Sequence, residues 1–517
     1  MKTEIPLLSY FNNAKTSVMS TIGDITLIGV KFYEFTLLVR SLVNLDVIKM
    51  RLIVKISLFF FGLIFLIASC KQKEQVAEMG LQINKEGRYF ETNDGKPFFW
   101  LGDTGWLLFK QLSREEAVAY LDDRQKKGFN VIQVMGIHSL EVANFYGDLA
   151  LINKKIDSVN VTKGDDFKDS LQYDYWDHVN YVIDEAAKRN LYIAFVNVWG
   201  TAVKSGKVKP EEAKVYANFL VDRFGKKPNI IWMNGGDIKG SEYQEVWQTV
   251  GETIKSRDSL HLMTFHPRGR TNSSEWFHKE QWLDFNTFQS GHRRYNQDTS
   301  KNEKRHYGED NWKHVFEDYN LKPTKPTLDA EPSYEGIPEG LHDSLEVRWT
   351  DAAVRRYGYW SVFAGAAGFT YGNNAVMQFY KPNEGSGAFG VRNWEYYTKA
   401  INDAGAGQMQ HLKKLMLSKP YFERIPDQSI IANQKEKHNY LVATKGKDYA
   451  FIYTWTGRDL EINMGKIEGE NVKASWFKPA DGSETAIGEF ENKGTKSFNP
   501  PGTVKDGNDW VLILESI

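Results

Sequence analysis

The strongest constraint on the fold is an alternation of strands and helices that repeats about eight times between residues 97 and 418. Apolar runs such as residues 129–135 have the length and composition of buried strands. Helical segments such as residues 175–190 separate them, and Ser113 with Glu116 forms a capping box that predicts another helix start. Eight repeats over roughly 320 residues favour a closed barrel over an open sheet. The sequence therefore predicts an α/β protein built on a (β/α)8 TIM barrel.

The barrel is expected to occupy residues 81–420 and to begin with a small leading hairpin. The pattern changes at residue 421. Short apolar runs such as residues 449–454 and 510–514 are separated there by turns rich in Gly, Asn, Asp and Lys. Because this pattern is typical of antiparallel sheets, residues 421–517 are predicted to form a C-terminal all-β sandwich.

The N-terminal part of the chain predicts export. Residues 50–70 begin with a basic segment, continue as an apolar run of signal-peptide length and end at Cys70 in the pattern of a lipobox. Lipidation of Cys70 would attach an exported bacterial lipoprotein to a membrane, at the periplasmic side or at the cell surface, with residues 71–80 as a tether. A plain signal peptide or an uncleaved anchor is the alternative. Residues 1–49 are interpreted as an upstream extension outside the fold, with Met50 as the true start.

Charge and cysteine content narrow the classes of partner. The chain has 65 Lys and Arg against 66 Asp and Glu, so its net charge of −1 gives no support for a nucleic-acid partner or for an electrostatic contact with a membrane. The single cysteine leaves the folded part without a disulfide or a cysteine-based metal site. No His-Glu-x-x-His pattern occurs. We therefore expect no metal and no cofactor, and a membrane contact through the N-terminal lipid alone.

Polar and aromatic side chains follow the C-terminal ends of the predicted strands. In a (β/α)8 barrel these ends surround the active site. A repeated preference for this end of the strands therefore indicates a functional face. The residues concerned are Asp103, His138, Trp199, Asp237, His266, Gln289, Glu331 and Asn373.

Two of these residues are acids with the placement that glycoside hydrolysis requires. Asp237 ends an apolar strand that closes with Asn-Gly-Gly-Asp, and Glu331 ends another and precedes Pro332. They are separated by 331 − 237 = 94 residues, about three repeats, which places them on the fourth and seventh strands. Asp237 is predicted to be the acid/base and Glu331 the nucleophile of a retaining glycosidase. The alternative for Asp237 is the N-cap of the next helix.

Further residues near the strand ends are candidates for substrate binding. Indole rings can stack on the apolar faces of sugars, and amide, carboxylate and imidazole groups can bind sugar hydroxyls. The structural alternatives are helix caps for the polar groups and barrel lining for the indoles. The predicted substrate-binding residues are Asp103, Trp106, His138, Trp199, Asn234, His266, Gln289 and Asn373.

Four segments resemble the apiosidase-like glycoside hydrolases, family 140. These segments are residues 94–106, 128–134, 232–237 and 328–332. The resemblance covers about residues 80–517 and implies a (β/α)8 barrel followed by a β-sandwich of the collagen-binding type. It also implies a catalytic Asp in the strand-four motif and a catalytic Glu in the strand-seven motif. These match Asp237 and Glu331 here.

The motif of the fourth strand sharpens this resemblance. Most related retaining barrel glycosidases carry Asn-Glu there, whereas this chain has Asn-Gly-Gly-Asp, which argues against a generic cellulase or mannanase. The characterised activity that the resemblance implies is release of apiose from plant pectin side chains.

The sequence therefore predicts a lipid-anchored, exo-acting glycoside hydrolase whose partner is an oligosaccharide or polysaccharide of plant cell-wall or host origin. Apiosidase activity is one candidate. Two alternatives remain, a glycan-binding surface lipoprotein without turnover and an adhesin that works through residues 421–517. The substitution Glu331→Gln separates the first alternative from an enzyme. It should abolish hydrolysis if the protein is an enzyme, and change nothing but affinity if the protein only binds glycans.

Overall fold

A computed structural model describes residues 79–343, 345–382, 384–385, 387, 389–390 and 395–517. The predicted extension, the signal segment with Cys70 and nearly all of the predicted tether lie outside these residues. Among the helices that the structure describes, none combines the length and the apolar character needed to cross a membrane.

The described chain begins with a three-stranded antiparallel sheet, where a leading hairpin was predicted. Its strands are β1 (Leu81–Ile83), β2 (Phe90–Thr92) and β3 (Pro97–Phe98). The ring of Phe90 lies 5.1 Å from that of Phe285, and the ring of Phe98 lies 5.3 Å from that of Tyr192. Both partners precede or begin barrel strands, so this small sheet covers the N-terminal end of the barrel.

The predicted barrel is confirmed. Eight strands form the barrel, and neighbouring strands pair in parallel everywhere except between β8 and β10. The first strand pairs with the last, and the short β9 adds an antiparallel ninth strand beside β10. Between β8 and β10 the barrel closes through bonds such as the one from the Asp284 amide to the Met263 carbonyl, 2.8 Å long. The strands are β4 (Trp100–Thr104), β5 (Val131–Met135), β6 (Tyr192–Val196), β7 (Ile230–Ile238), β8 (Met263–Pro267), β9 (Thr271–Asn272), β10 (Asn286–Gln289), β11 (Thr327–Asp329) and β12 (Gly368–Tyr371).

The helices between the strands begin at the sequence signals expected for them. Ser113 forms the predicted capping box with Glu116, and Asp174 forms a second one with Asp177. The last helical segment is interrupted at residues 401–403. The helices are α1 (Leu108–Gln111), α2 (Arg114–Lys126), α3 (Tyr175–Ala187), α4 (Gly200–Gly206), α5 (Pro210–Phe224), α6 (Gln244–Arg257), α7 (Ser274–Phe277), α8 (Asn311–Tyr319), α9 (Asp351–Phe363), α10 (Tyr397–Ala400) and α11 (Ala404–Leu417).

The C-terminal part is antiparallel β-structure, as predicted. A six-stranded sheet has the order β13-β14-β15-β20-β17-β18, and β16 pairs with β19 in a second sheet. Apolar residues of both sheets, such as Ile452 and Phe498, share one buried cluster. A short 3-10 helix (Gln428–Ile430) lies between β13 and β14. The strands are β13 (Ile425–Pro426), β14 (Val442–Lys445), β15 (Tyr449–Thr454), β16 (Leu460–Asn463), β17 (Asn471–Phe477), β18 (Glu484–Glu491), β19 (Thr495–Phe498) and β20 (Trp510–Ser516).

The outer face of the six-stranded sheet packs on barrel helix α9. The rings of Tyr359 and Tyr453 stack with centroids 4.9 Å apart. The guanidinium of Arg355 donates two hydrogen bonds of 2.9 Å to the carboxylate of Asp509, and both residues are buried. A buried bidentate ion pair fixes relative orientation as well as distance. The sandwich is therefore held against the barrel as part of one packed body.

Candidate active site

Strand β7 continues one residue beyond Asp237, to Ile238, and contains a β-bulge. Its register with β8 jumps between Gly235 and Ile238. Gly235, Gly236 and Asp237 all adopt positive φ, with values of 83°, 108° and 48°. Bulges of this kind redirect a side chain next to an active site. The bulge makes the Asp237 side chain solvent-exposed, whereas the other residues of the strand are buried.

Both glycines of the bulge lie so close to neighbouring atoms that a side chain at either position would clash. A Cβ on Gly235 would lie 2.4 Å from the carbonyl oxygen of His266. A Cβ on Gly236 would lie 2.4 Å from the indole ring of Trp199. The absence of side chains at these positions therefore lets the bulge pack directly against an aromatic wall of the cleft.

The Asp237 carboxyl group has a raised pKa. Although Asp237 is exposed as a residue, its carboxyl group lies among the side chains that line a cavity and is largely buried there. This burial, together with the negative charge of Glu331, raises the pKa of Asp237 to about 6. A carboxyl group with a raised pKa can donate a proton to a leaving group near neutral pH.

Glu331 lies two residues beyond β11 and has the opposite electrostatic character. Its Oε1 accepts a hydrogen bond of 3.1 Å from Nε2 of His292, and its Oε2 lies 3.3 Å from Nε2 of His266. Burial of Glu331 opposes ionisation, but the two imidazoles outweigh it and lower the pKa of Glu331 to about 2. Glu331 is therefore an ionised carboxylate held by one imidazole at each oxygen.

Aromatic side chains form the wall beside the two acids. The rings of Trp106 and Trp199 lie 5.2 Å apart, and that of His266 lies 5.3 Å from Trp106 and 5.5 Å from Trp199. The indole Nε1 of Trp106 donates a hydrogen bond of 3.1 Å to the hydroxyl of Tyr334. These contacts fix the ring orientations before a ligand binds. Preset rings suit stacking against the apolar face of a sugar.

The acids and the aromatic wall share one cavity of about 200 Å³. A larger cavity, of about 300 Å³, lies near Tyr192 and His261 at the N-terminal end of the barrel. None of the described residues lining that larger cavity is acidic, so we place the chemistry in the smaller one. The described lining of the smaller cavity is Trp106, Met135, Trp199, Asp237, Gln289, His292, Glu331, Tyr334, Ile337, Leu341, His342, Met377 and Phe389.

The structure brings several predicted substrate-binding residues into or next to this cavity. Trp106, Trp199 and Gln289 line it. The side-chain oxygen of Gln289 is buried without a hydrogen-bond partner among the described residues, which leaves it available to a ligand. His266 is fully buried behind the wall and acts on Glu331. Its predicted direct contact with substrate stays a prediction.

The other predicted substrate-binding residues do not line the cavity. Asp103 is buried, accepts a 2.5 Å hydrogen bond from Tyr120 and lies 3.2 Å from Nε of Arg124. Asn234 donates a 3.0 Å hydrogen bond to the carbonyl of Trp247.

Two more predicted residues also lie elsewhere. Asn373 accepts hydrogen bonds from the amides of the turn that follows it and donates one of 2.7 Å to Asp403. His138 lies in the loop after β5, where burial lowers its pKa to about 4. The observed contacts of Asn373 give its side chain a structural role in the turn.

Sequence reasoning missed His292 and Tyr334 as site residues. His292 follows Gln289 by three residues, beyond the end of the sixth barrel strand, and Tyr334 follows Glu331 by three residues. Their proximity to candidate residues was the available signal. Met377 and Phe389 come from the loop after β12 and carry no comparable signal.

An acid with a raised pKa and a second acid with a lowered pKa, at the ends of the fourth and seventh strands of a barrel and beside aromatic rings, are the equipment of a glycoside hydrolase. The family comparison agrees. Residues 84–423 match the model of the apiosidase-like catalytic domain, and residues 425–515 match that of a collagen-binding-like domain of a collagenase. The chain belongs to the apiosidase-like family.

Solved structures give the same result. One described as a glycoside hydrolase is 46% identical, with a TM-score of 0.79, over 85% of this chain and 97% of that chain. A family 5 glycoside hydrolase from Bacteroides vulgatus ATCC 8482 is 44% identical, with a TM-score of 0.78, over 84% of this chain and 94% of that chain. No curated protein sequence is significantly similar. The protein is a glycoside hydrolase that acts on a carbohydrate.

Proposed function

We propose that this glycoside hydrolase is a retaining enzyme in which Glu331 attacks the anomeric carbon and Asp237 protonates the leaving oxygen. The observation that carries the proposal is the opposite shift of the two pKa values, to about 2 for Glu331 and about 6 for Asp237. The shifts assign Glu331 as the ionised group and Asp237 as the proton donor, and the configuration of the product distinguishes attack by Glu331 from activation of a water molecule. After glycosylation of Glu331, Asp237 would act as base and activate the water that releases the sugar.

We further propose an exo-acting enzyme that removes a terminal sugar. The cavity of about 200 Å³ is smaller than the 300–1,000 Å³ range typical of sites for larger ligands. A cavity of this size suits one terminal sugar ring better than an internal stretch of polysaccharide. The family match favours apiose as that sugar and plant pectin side chains as its source.

The stereochemistry and the substrate are tested together. The soluble piece, residues 79–517, is incubated with pectic, hemicellulosic and host glycans, and released sugars are identified by mass spectrometry. Proton NMR of the first product formed then gives its anomeric configuration. Retention of configuration and release of a monosaccharide support the proposal. Inversion would overturn the nucleophilic role of Glu331, and release of oligosaccharides alone would overturn exo action.

We also propose that the enzyme is exported and held on a membrane by a lipid on Cys70. The support is the lipobox pattern in the sequence. Metabolic labelling with a radioactive fatty acid in a bacterial host tests it, with Cys70→Ala as the matched control. Label in the native chain that is absent from the Cys70→Ala chain supports the proposal. Absence of label from both chains contradicts it.

A further inference from the structure

The segment between β5 and α3 exposes an unusual density of apolar side chains. Phe145, Tyr146 and Phe167 are 46%, 38% and 39% exposed. Large exposed apolar patches on soluble proteins commonly mark interaction sites. We call these three residues the aromatic cluster. Exposed aliphatic residues of the same segment are Leu149, Ile152, Val161 and Leu171.

The aromatic cluster is a built arrangement. The ring of Tyr146 lies 5.3 Å from that of Phe145 and 5.3 Å from that of Phe167, close to perpendicular in the first pair. The guanidinium of Arg114 lies 4.4 Å from the centre of the Phe167 ring, and the Arg114 amide donates a 3.0 Å hydrogen bond to the Tyr146 hydroxyl. The rings are thus held in place by the start of α2 while they remain exposed to solvent.

The cluster lies on the catalytic face of the barrel. Its segment leaves the C-terminal end of β5, the same end of the barrel at which Asp237 and Glu331 lie. The ammonium of Lys381 lies 4.8 Å from the centre of the Phe145 ring. Lys381 belongs to the loop after β12, and this loop also contributes Phe389 to the lining of the active-site cavity. One loop therefore borders the cavity and the aromatic cluster.

The surroundings of the cluster suit a carbohydrate. Exposed charged residues, Lys163, Asp165, Asp166 and Lys168, lie beside Phe167 in the chain. The apolar C–H faces of sugars stack on aromatic rings, and sugar hydroxyls form hydrogen bonds with charged groups. Aromatic rings bordered by charged residues therefore suit both parts of a sugar. The cores of protein interfaces, by contrast, are depleted of charged residues.

We propose that the aromatic cluster is a second carbohydrate-binding site, which holds a distal part of the polysaccharide whose end occupies the active-site cavity. This inference rests on the proposed function for its account of what the cavity holds. Binding at two connected places raises the effective concentration of the chain end at Asp237 and Glu331. The cluster therefore improves the binding of polymers and does not affect the turnover of short substrates.

The first experiment measures binding without turnover. Chains carrying Glu331→Gln, which blocks hydrolysis, are run in native gels containing pectic polysaccharide, arabinoxylan or galactomannan. We expect the migration of the protein to be retarded in at least one gel. The double variant Phe145→Ala/Phe167→Ala should weaken the apparent affinity roughly tenfold. The control Leu260→Ala removes a 79% exposed side chain at the other end of the barrel and leaves retardation unchanged. Equal retardation with and without the rings, or no retardation in any gel, overturns the proposal.

The second experiment separates this site from the active site. With Glu331 intact, the double variant should cleave a short oligosaccharide at the wild-type rate and the polymer with a higher KM. If neither chain hydrolyses anything while the ring substitutions still abolish retardation, the proposed function fails and the binding site stands. Sedimentation showing a wild-type dimer that the double variant lacks would identify a self-association face and overturn the proposal. Phe145→Ala alone serves if the double variant does not fold.

Discussion

The substitution Gly236→Ala tests the link between the β-bulge and catalysis. The new Cβ would lie 2.4 Å from the Trp199 ring, whereas ordinary contacts begin at about 3.4 Å, so the ring or the bulge must move by 3.4 − 2.4 = 1.0 Å. The φ of +108° adds strain of roughly 1 kcal/mol for a residue with a side chain. Because Asp237 is the next residue, this movement displaces the carboxyl group that we propose as the acid/base. A misplacement of about 1 Å can reduce activity about 10²-fold.

The assay is kcat/KM for the released sugar, accompanied by a thermal melt. Gly95→Ala is the matched control, because Gly95 has a φ of +77° and a Cβ added there would meet no atom within 4 Å. We expect the control to lose roughly 1 kcal/mol of stability and no activity. Gly236→Ala should lose activity about 100-fold as well. Activity of Gly236→Ala within threefold of wild type, a tolerance of about 0.7 kcal/mol, would refute the reasoning.

Three further predictions concern the contacts of Asp237, Glu331 and Arg355. The value of kcat/KM should fall above pH 6, because Asp237, whose pKa is raised to about 6, loses its proton there. The variant Asp237→Asn should lose this alkaline fall when it is assayed on an aryl glycoside with a good leaving group. His292→Ala removes one of the two imidazoles at Glu331, so the pKa of Glu331 should rise and the loss of activity at acidic pH should begin at a higher pH. The shift should be smaller in His292→Gln, because glutamine keeps a hydrogen-bond donor. Arg355→Met leaves Asp509 buried and unpaired and should cost about 3–5 kcal/mol in chemical denaturation, whereas unchanged stability would show that the ion pair does not hold the sandwich.

The architecture was predictable because the barrel depends on repeated local patterns. Strand lengths, helix caps and turn residues all indicate the same alternation of strands and helices, so small errors in single element boundaries did not change the predicted fold. Strand β18 (Glu484–Glu491) escaped prediction because nearly all of its side chains are exposed, which leaves no apolar alternation to detect.

The placement of Asp237 and Glu331 at one cavity was predictable, but the rest of the cavity lining was not. Asp237 and Glu331 lie on the fourth and seventh barrel strands, as spacing indicated. Asn234 and Asp103 occupy similar positions near strand ends, yet their side chains bond to helices outside the barrel. Successive side chains of a strand point to opposite faces, so an error of one residue in the strand position places a side chain on the wrong face. A β-bulge adds a residue and alters this alternation. Sequence position alone therefore could not assign these side chains to the cavity.

The contribution of His292 depended on the path of a loop. It reaches Glu331 because the chain turns back after β10, and the Gly291 amide donates a 3.2 Å hydrogen bond to the Glu331 carbonyl. Such long-range pairing has no local signature. The physical consequence, an ionised Glu331 despite its burial, became visible with the structure.

The most direct test of the account is hydrolysis by wild type, Asp237→Asn and Glu331→Gln, run side by side on the glycan panel with the released sugars identified. The account predicts a sugar that wild type releases and both variants fail to release, while thermal melts show that both variants are folded. Release that survives both substitutions would contradict the assignment of the acid pair.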